Sequence, residues 1–161
     1  MMWYIKTKDL SNRGAITLTI NNGMRDQTTI IVHDIPKTHN NLPVTSFHHA
    51  FEGMQNLTEV IFDDTVDLSD IDDTRCMFNK CPKLERVVFP PNAFYNIYDC
   101  SYMFQDCPML KEVIAPNIFI SPETNKVSKS IRYFDKILNG TDIDRNNLPR
   151  SINCLVAIGA A

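Results

Sequence analysis

Glycine is scarce in this sequence, with 5 residues among 161. Phosphate-cradling loops and nucleophile turns depend on glycine, and the motifs G-x-G-x-x-G, G-x-x-x-x-G-K-[ST] and G-x-S-x-G are all absent. The zinc-protease motif H-E-x-x-H is absent as well. We therefore predict no catalytic residues, no cofactor and no small-molecule substrate, and we expect a protein that is not an enzyme.

The sequence also lacks an excess of positive charge and any long apolar run. Sixteen Lys and Arg stand against 19 Asp and Glu, a net charge of -3, whereas nucleic-acid-binding domains are usually strongly basic. No apolar run approaches the ~20 residues that span a bilayer, and the first ten residues lack the apolar core of an export signal. We expect no nucleic-acid or membrane partner, and a soluble chain that is cytoplasmic or assembled into a particle.

A disulfide framework is not expected, because five cysteines are an odd number in a chain without a recognisable export signal. No C-x-x-C pair occurs, so the spacing of a structural zinc site is missing. The four histidines, His33, His39, His48 and His49, are interpreted as surface or cap residues. No metal ligand is predicted.

The sequence does contain an internal repeat. Residues 50–62 return as 77–89 and as 103–115, with phenylalanines 27 and 26 residues apart. Each copy has an apolar residue seven positions before the Phe, a Met or Cys three after it, a Leu six after it and a Val nine after it. The residues predicted to stack in structural ladders are Phe51, Leu57, Val60, Phe78, Cys81, Leu84, Val87, Phe104, Cys107, Leu110 and Val113. Met54 replaces cysteine in the first copy, so Cys81 and Cys107 are interpreted as buried packing residues.

Each unit combines a short turn with a short strand. The Met-Phe-x-x-Cys segment suits a single helical turn that ends near Pro82 or Pro108, and β-branched residues favour a strand after it. Such a unit cannot bury its apolar face alone, so consecutive units must stack. We predict an α/β repeat protein in which strand pairs with strand.

The pattern in residues 44–116 resembles the BspA-like leucine-rich repeats, in which an apolar residue, an Ala/Met-Phe pair, a Cys and a Leu lead into a Leu-x-x-Val-x-hydrophobic strand. The resemblance implies a short leucine-rich-repeat solenoid with a parallel sheet on one face and short turns on the other. It also implies a protein that binds macromolecules.

The chain is expected to form a single domain, 1–161, in three parts. In 1–43, segments 15–20 and 28–32 are interpreted as two strands joined across a polar turn, forming a β-rich N-terminal cap. Residues 44–116 are the three repeat units. Residues 117–161 are interpreted as an enlarged loop, a degenerate fourth unit and an irregular C-terminal cap. In that unit Phe134 is the anchor, Ile137 takes the Cys position and Gly140 the Leu position, and the apolar tail 152–158 is a cap or a last strand.

The acidic residues are concentrated between two units. Asp63, Asp64, Asp67, Asp70, Asp72 and Asp73 fall within eleven residues. A solvated acidic rim is the favoured interpretation, and a calcium site or a site for a basic partner is the alternative, although the EF-hand spacing is missing.

The predicted strands carry apolar residues on both faces. If Leu84, Val87 and Phe89 point inward, alternation sends Arg86 and Val88 outward. The outward residues predicted to bind a partner are Glu59, Ile61, Arg86, Val88, Glu112 and Ile114. Because solvated sheet faces ordinarily present polar residues, the apolar row has three explanations: a binding surface, a face covered by a terminal segment, or β-propensity alone.

We therefore expect a non-enzymatic protein-protein recognition or scaffolding module that uses the sheet face of the solenoid, with another protein or an assembly as its partner. The alternative is a structural subunit of a larger assembly, such as a phage virion or a cell-surface layer.

Overall fold

The computed structural model describes residues 2–6 and 16–159, which form eight strands, two short 3-10 helices and one α-helix. The strands are β1 (Trp3–Lys6), β2 (Ile16–Ile20), β3 (Thr29–Val32), β4 (Thr38–His39), β5 (Leu42–Ser46), β6 (Glu59–Phe62), β7 (Arg86–Val88) and β8 (Glu112–Ile114). The 3-10 helices span Asn22–Met24 and Arg145–Asn147, and helix α1 spans Arg150–Gly159. The strands divide into two sheets of four, ordered β1-β2-β5-β4 and β3-β6-β7-β8.

The second sheet, here called the main sheet, is parallel throughout and in register. Val60 pairs with Val87, Val87 pairs with Val113, and all three side chains are buried. Each repeat unit therefore returns its strand beside that of the unit before it, as stacking of the units requires.

Opposite the main sheet, the units are joined by a second backbone ladder that runs through their turns. The Phe78 N–H donates to the carbonyl of Met103 at 2.9 Å, and neighbouring turns repeat this bond at equivalent positions. The turn is not the single helical turn that the sequence predicted, because the backbone is left-handed at Cys76 (φ 54°) and Lys80 (φ 58°). These reversals turn backbone N–H groups toward the next unit rather than along a helix.

A short polar side chain opens the turn of each of the three repeat units. Asp73 Oδ1 accepts from the backbone N–H of Arg75 at 3.0 Å, and Asp99 Oδ1 accepts from that of Ser101 at 2.9 Å. Ser46 occupies the same place in the first unit and uses its hydroxyl in the same way. Asp and Ser are favoured there because their side chains can bond the backbone two residues on.

The core lies between the main sheet and the turns and consists of ladders of equivalent side chains. The rings of Phe51, Phe78 and Phe104 stack with centroids 5.0 and 5.4 Å apart and planes within 6° of parallel. The leucines six residues later, Leu57, Leu84 and Leu110, are buried in the same way, as are Cys81 and Cys107.

Residues 16–32 form an additional turn of the solenoid rather than a hairpin. Strand β2 pairs in parallel with β5 on the turn side, whereas β3 pairs in parallel with β6 in the main sheet. Both segments are strands as predicted, although Ala15 lies outside the described residues, and the two strands belong to different sheets. Strand β1 runs antiparallel to β2 and places Trp3 against Phe47 and Phe51, at centroid distances of 5.4 and 5.9 Å.

The degenerate fourth unit exists, but its predicted register is wrong by four residues. Asp99 pairs with Tyr133, and the Phe104 N–H donates to the carbonyl of Ile137, so Leu138 takes the anchor position that the sequence assigned to Phe134. The shift arises from an excursion at 120–127, which is closed by an antiparallel bridge between its ends. Gly140 has a left-handed backbone, as does Lys80 at the equivalent position of an earlier unit.

Helix α1 closes this end of the solenoid, so the apolar tail is a helical cap and not a last strand. Ile152, Leu155 and Val156 are buried, and their i, i+3, i+4 spacing places them on one helix face. The chain thus folds as a short solenoid with a parallel sheet on one side, turns on the other and a β-rich N-terminal end. The division at residues 43 and 116 stays a prediction.

Replacing Leu84 by Ala tests the stacked core. The side chain is fully buried in the central unit and cannot relax outward, so we expect a loss of about 2–5 kcal/mol in the free energy of unfolding. Urea denaturation measures it. A loss below ~1 kcal/mol would contradict the stacking of the leucine ladder.

Replacing Gly140 by Ala tests the left-handed column. Its φ is 74°, and an added Cβ would lie 3.2 Å from the Asp106 backbone. We expect a destabilisation above about 1 kcal/mol, measured by thermal melting. Gly23→Ala is the matched control, since its Cβ would only reach Asn21 at 3.5 Å, and its melting temperature should hardly change.

Candidate functional site

Two rows of side chains cross the outer face of the main sheet. Strand alternation buries every second residue and turns the others outward. The apolar row consists of Ile31, Ile61, Val88 and Ile114, and the charged row consists of Glu59, Arg86 and Glu112 beside Thr29. The structure therefore brings all six predicted binding residues together on one face and adds Ile31 and Thr29 from β3. Their role in binding a partner stays a prediction.

The apolar row remains accessible to solvent. Ile31 is 42% exposed, and the other three side chains are half-buried. Helix α1 lies at the end of the solenoid, where its first turns line a cleft together with Ile114, the last residue of the row. Within residues 2–6 and 16–159, coverage by a terminal segment therefore does not explain the row.

The charged row is an ion-pair chain that runs across the strands. Arg86 Nη1 lies 2.6 Å from Glu59 Oε1, and Arg86 Nε lies 2.9 Å from Glu112 Oε2. These hydrogen bonds raise the pKa of the Arg86 guanidinium. Because one cation serves two carboxylates, the row holds its side chains in fixed positions and keeps one net negative charge.

Several residues of the acidic stretch are paired with basic side chains of the same chain. Lys37 Nζ lies 2.7 Å from Asp67 Oδ2 and 3.2 Å from Asp70 Oδ2, and His33 Nδ1 lies 2.6 Å from Asp63 Oδ2. The hydrogen bond from Lys37 lowers the pKa of Asp67 to about 2. A solvated rim with internal ion pairs accounts for these residues, and binding of calcium or a basic partner stays a prediction.

The two ladder cysteines are neighbours inside the core. Cys81 Sγ donates to the carbonyl of Phe51 and Cys107 Sγ to that of Phe78, both at 3.1 Å, and neither forms a disulfide. The hydrogen bond shared with Cys81, together with burial, raises the pKa of the Cys107 thiol. The geometry fits a packing role for both.

One cluster of potential metal ligands was not predicted from the sequence. His48, His49 and Cys76 each offer a ligand atom, and these atoms all lie within 4.8 Å of one another. A signal for it was present, because His49 and Cys76 both stand two residues before the anchor phenylalanine of their units. Such positions become neighbours when the units stack.

A cleft of about 770 Å³ opens at the α1 end. It lies between β8, the excursion at 120–127 and the start of α1. Its charged lining residues are Glu112, Lys126 and Arg150.

Among the described residues, no helix has the length and apolar character needed to cross a membrane.

Comparison with solved structures finds leucine-rich-repeat proteins. A leucine-rich repeat protein from Bacteroides ovatus aligns with 89% of this chain at 17% identity and a TM-score of 0.47, and the chain spans about a third (33%) of that protein's length. A leucine-rich repeat protein of T. pallidum aligns with 99% of this chain and 97% of its own, at 14% identity and a TM-score of 0.34. No protein-family model matches the chain. No curated protein matches it either.

Thiol labelling tests the packing of the cysteine ladder. Cys81 and Cys107 are buried, whereas Cys154 is exposed on α1. In the native protein a thiol reagent should label Cys154 rapidly and the two ladder cysteines only on the timescale of unfolding, because burial blocks the access of the reagent to both thiols. Mass spectrometry of digested, time-quenched samples assigns each site. Rapid labelling of both ladder cysteines would contradict their burial.

Proposed function

We propose that this chain is a non-enzymatic protein-recognition module of the BspA-like leucine-rich-repeat type, and that it binds another protein through the outer face of the main sheet. The observation that carries the proposal is the apolar row Ile31, Ile61, Val88 and Ile114, which crosses all four strands and stays accessible. Sheet faces that meet only solvent ordinarily present polar residues.

The row has the dimensions and setting of an interface centre. Four parallel strands at the usual spacing give it a length of about 14 Å. All four strands that carry the row are paired within the sheet, and the two central ones, β6 and β7, are paired on both sides, so little conformational entropy is lost when a partner docks. Interfaces concentrate their energy in apolar residues that become fully desolvated, surrounded by a polar rim.

The charged row supplies such a rim. Glu59 and Glu112 flank Arg86 from the two neighbouring strands, and both form ion pairs with it. The net negative charge favours a partner that presents an apolar ridge beside a basic side chain. Rim charges of this kind act mainly on the rate of association and on its salt dependence.

Replacing Val88 by Glu tests the face. Val88 lies at the centre of the row and points outward, so the melting temperature should change by no more than a few degrees. Proteins that co-purify with the wild-type chain should be lost, and the affinity for an identified partner should fall by about 2 kcal/mol, or roughly 30-fold. Titration calorimetry with that partner measures the change.

Leu42→Glu is the matched control, because Leu42 is an exposed aliphatic residue (39%) on a strand of the other sheet. This variant should keep the partner. Retention of the partner by Val88→Glu together with its loss from Leu42→Glu would place binding on another surface. Unfolding of Val88→Glu, or complexes that contain only copies of this chain, would also contradict the proposal.

A further inference from the structure

Three potential ligands for a metal ion meet on the turn side of the solenoid, away from the main sheet. His48 and His49 lie in the turn that follows β5, and Cys76 lies in the next turn. Their ligand atoms lie within 4.8 Å of one another, and all three residues are partly buried. An ion can therefore reach the cluster from solvent. The three side chains are not mobile surface groups.

Stacking of the units places two of the ligands together. The backbone N–H of His49 donates to Arg75, and that of Cys76 donates to Ser101, so the two residues occupy consecutive steps of the same ladder. Both have left-handed backbones, with φ of 59° and 54°. The third ligand, His48, is not placed by this ladder. Its ring lies beside that of His49, with a distance of 3.8 Å between the ring centroids.

A carboxylate orients one of the imidazoles. Glu52 Oε2 contacts His49 Nδ1, and Glu52 Oε1 accepts a hydrogen bond from Asn79 Nδ2 at 2.6 Å. Histidines that bind metals usually donate their second ring N–H to such a carboxylate, which fixes the tautomer and the ring. Because Nδ1 is the ring nitrogen that faces Glu52, we assign Nε2 of His49 to the ion.

The electrostatic environment favours a cation. The charged groups that act on the cluster are Glu52, Asp73, Asp99 and Arg75, which together carry a net negative charge.

We propose that His48, His49 and Cys76 bind one Zn²⁺ ion, with Glu52 as a positioning residue and a water molecule in the fourth position. Two imidazoles and one thiolate are a zinc set, because Zn²⁺ is borderline soft and accepts nitrogen and sulfur ligands in a tetrahedron. Zinc–ligand bonds of about 2.0–2.3 Å separate the ligand atoms by roughly 3.3–3.7 Å, so on binding the three side chains draw together from separations of up to 4.8 Å. On binding, the Cys76 thiol releases its proton to solvent and the sulfur forms the bond to zinc.

Titration of the full chain with Zn²⁺ alone tests the site. After removal of metal by a chelator, calorimetry should show one ion bound per chain, and the melting temperature should rise because the ion binds only the folded state. Co²⁺ in place of Zn²⁺ should give a thiolate-to-metal charge-transfer band in the near ultraviolet. Absence of Zn²⁺ binding by the wild-type chain would overturn the proposal.

Variants identify the ligands. Cys76→Ser should lose the charge-transfer band. Both Cys76→Ser and His48→Asn should weaken Zn²⁺ binding at least ~10-fold. His48→Asn is included because it does not alter the left-handed backbone position at Cys76. Glu52→Gln should weaken binding roughly 10-fold but keep the band, as a positioning residue does. Cys154→Ser and His33→Asn are the matched controls on exposed residues and should bind as the wild type does. Unchanged binding in both Cys76→Ser and His48→Asn would refute the site.

Discussion

Register between consecutive units is the constraint on which this structure depends. Each unit is bonded to its neighbour twice, through the parallel strands of the main sheet and through the ladder of turns. With both sides held, each residue lies beside its own equivalents in the units before and after it. The stacked phenylalanines, the buried leucines, the cysteine pair and the ion-pair row all follow from this one restriction.

The repeat, the strands and the outward rows were predictable from the sequence because they depend on short-range patterns. A period of 26 or 27 residues identifies the units, and alternation within β7 identifies which residues point outward. The first and last turns were not predictable in the same way. Residues 16–32 complete a turn without the Phe and Leu signature, and the excursion at 120–127 moves the fourth unit out of the expected spacing.

The sheet face and the metal cluster also differ in how far the sequence predicts them. Val88 and Arg86 lie on one strand, so their outward direction follows from local alternation. The metal cluster needs residues from two units, and its prediction requires the exact superposition of His49 on Cys76 as well as the side-chain direction of His48. A helical turn, as the sequence suggested, would have directed these side chains differently from the left-handed backbone that the structure shows.

The excursion at 120–127 also shows where this architecture tolerates extra chain. The excursion begins after the buried Phe119 and ends at the partly buried Val127. A bridge from Ile120 to Val127 joins its two ends. The turn ladder resumes beyond it in full register, from Cys100 to Tyr133 onward. This bridge closes the excursion at its base. Foreign loops or reporter segments inserted at 121–126 should therefore leave the stacked units on either side undisturbed.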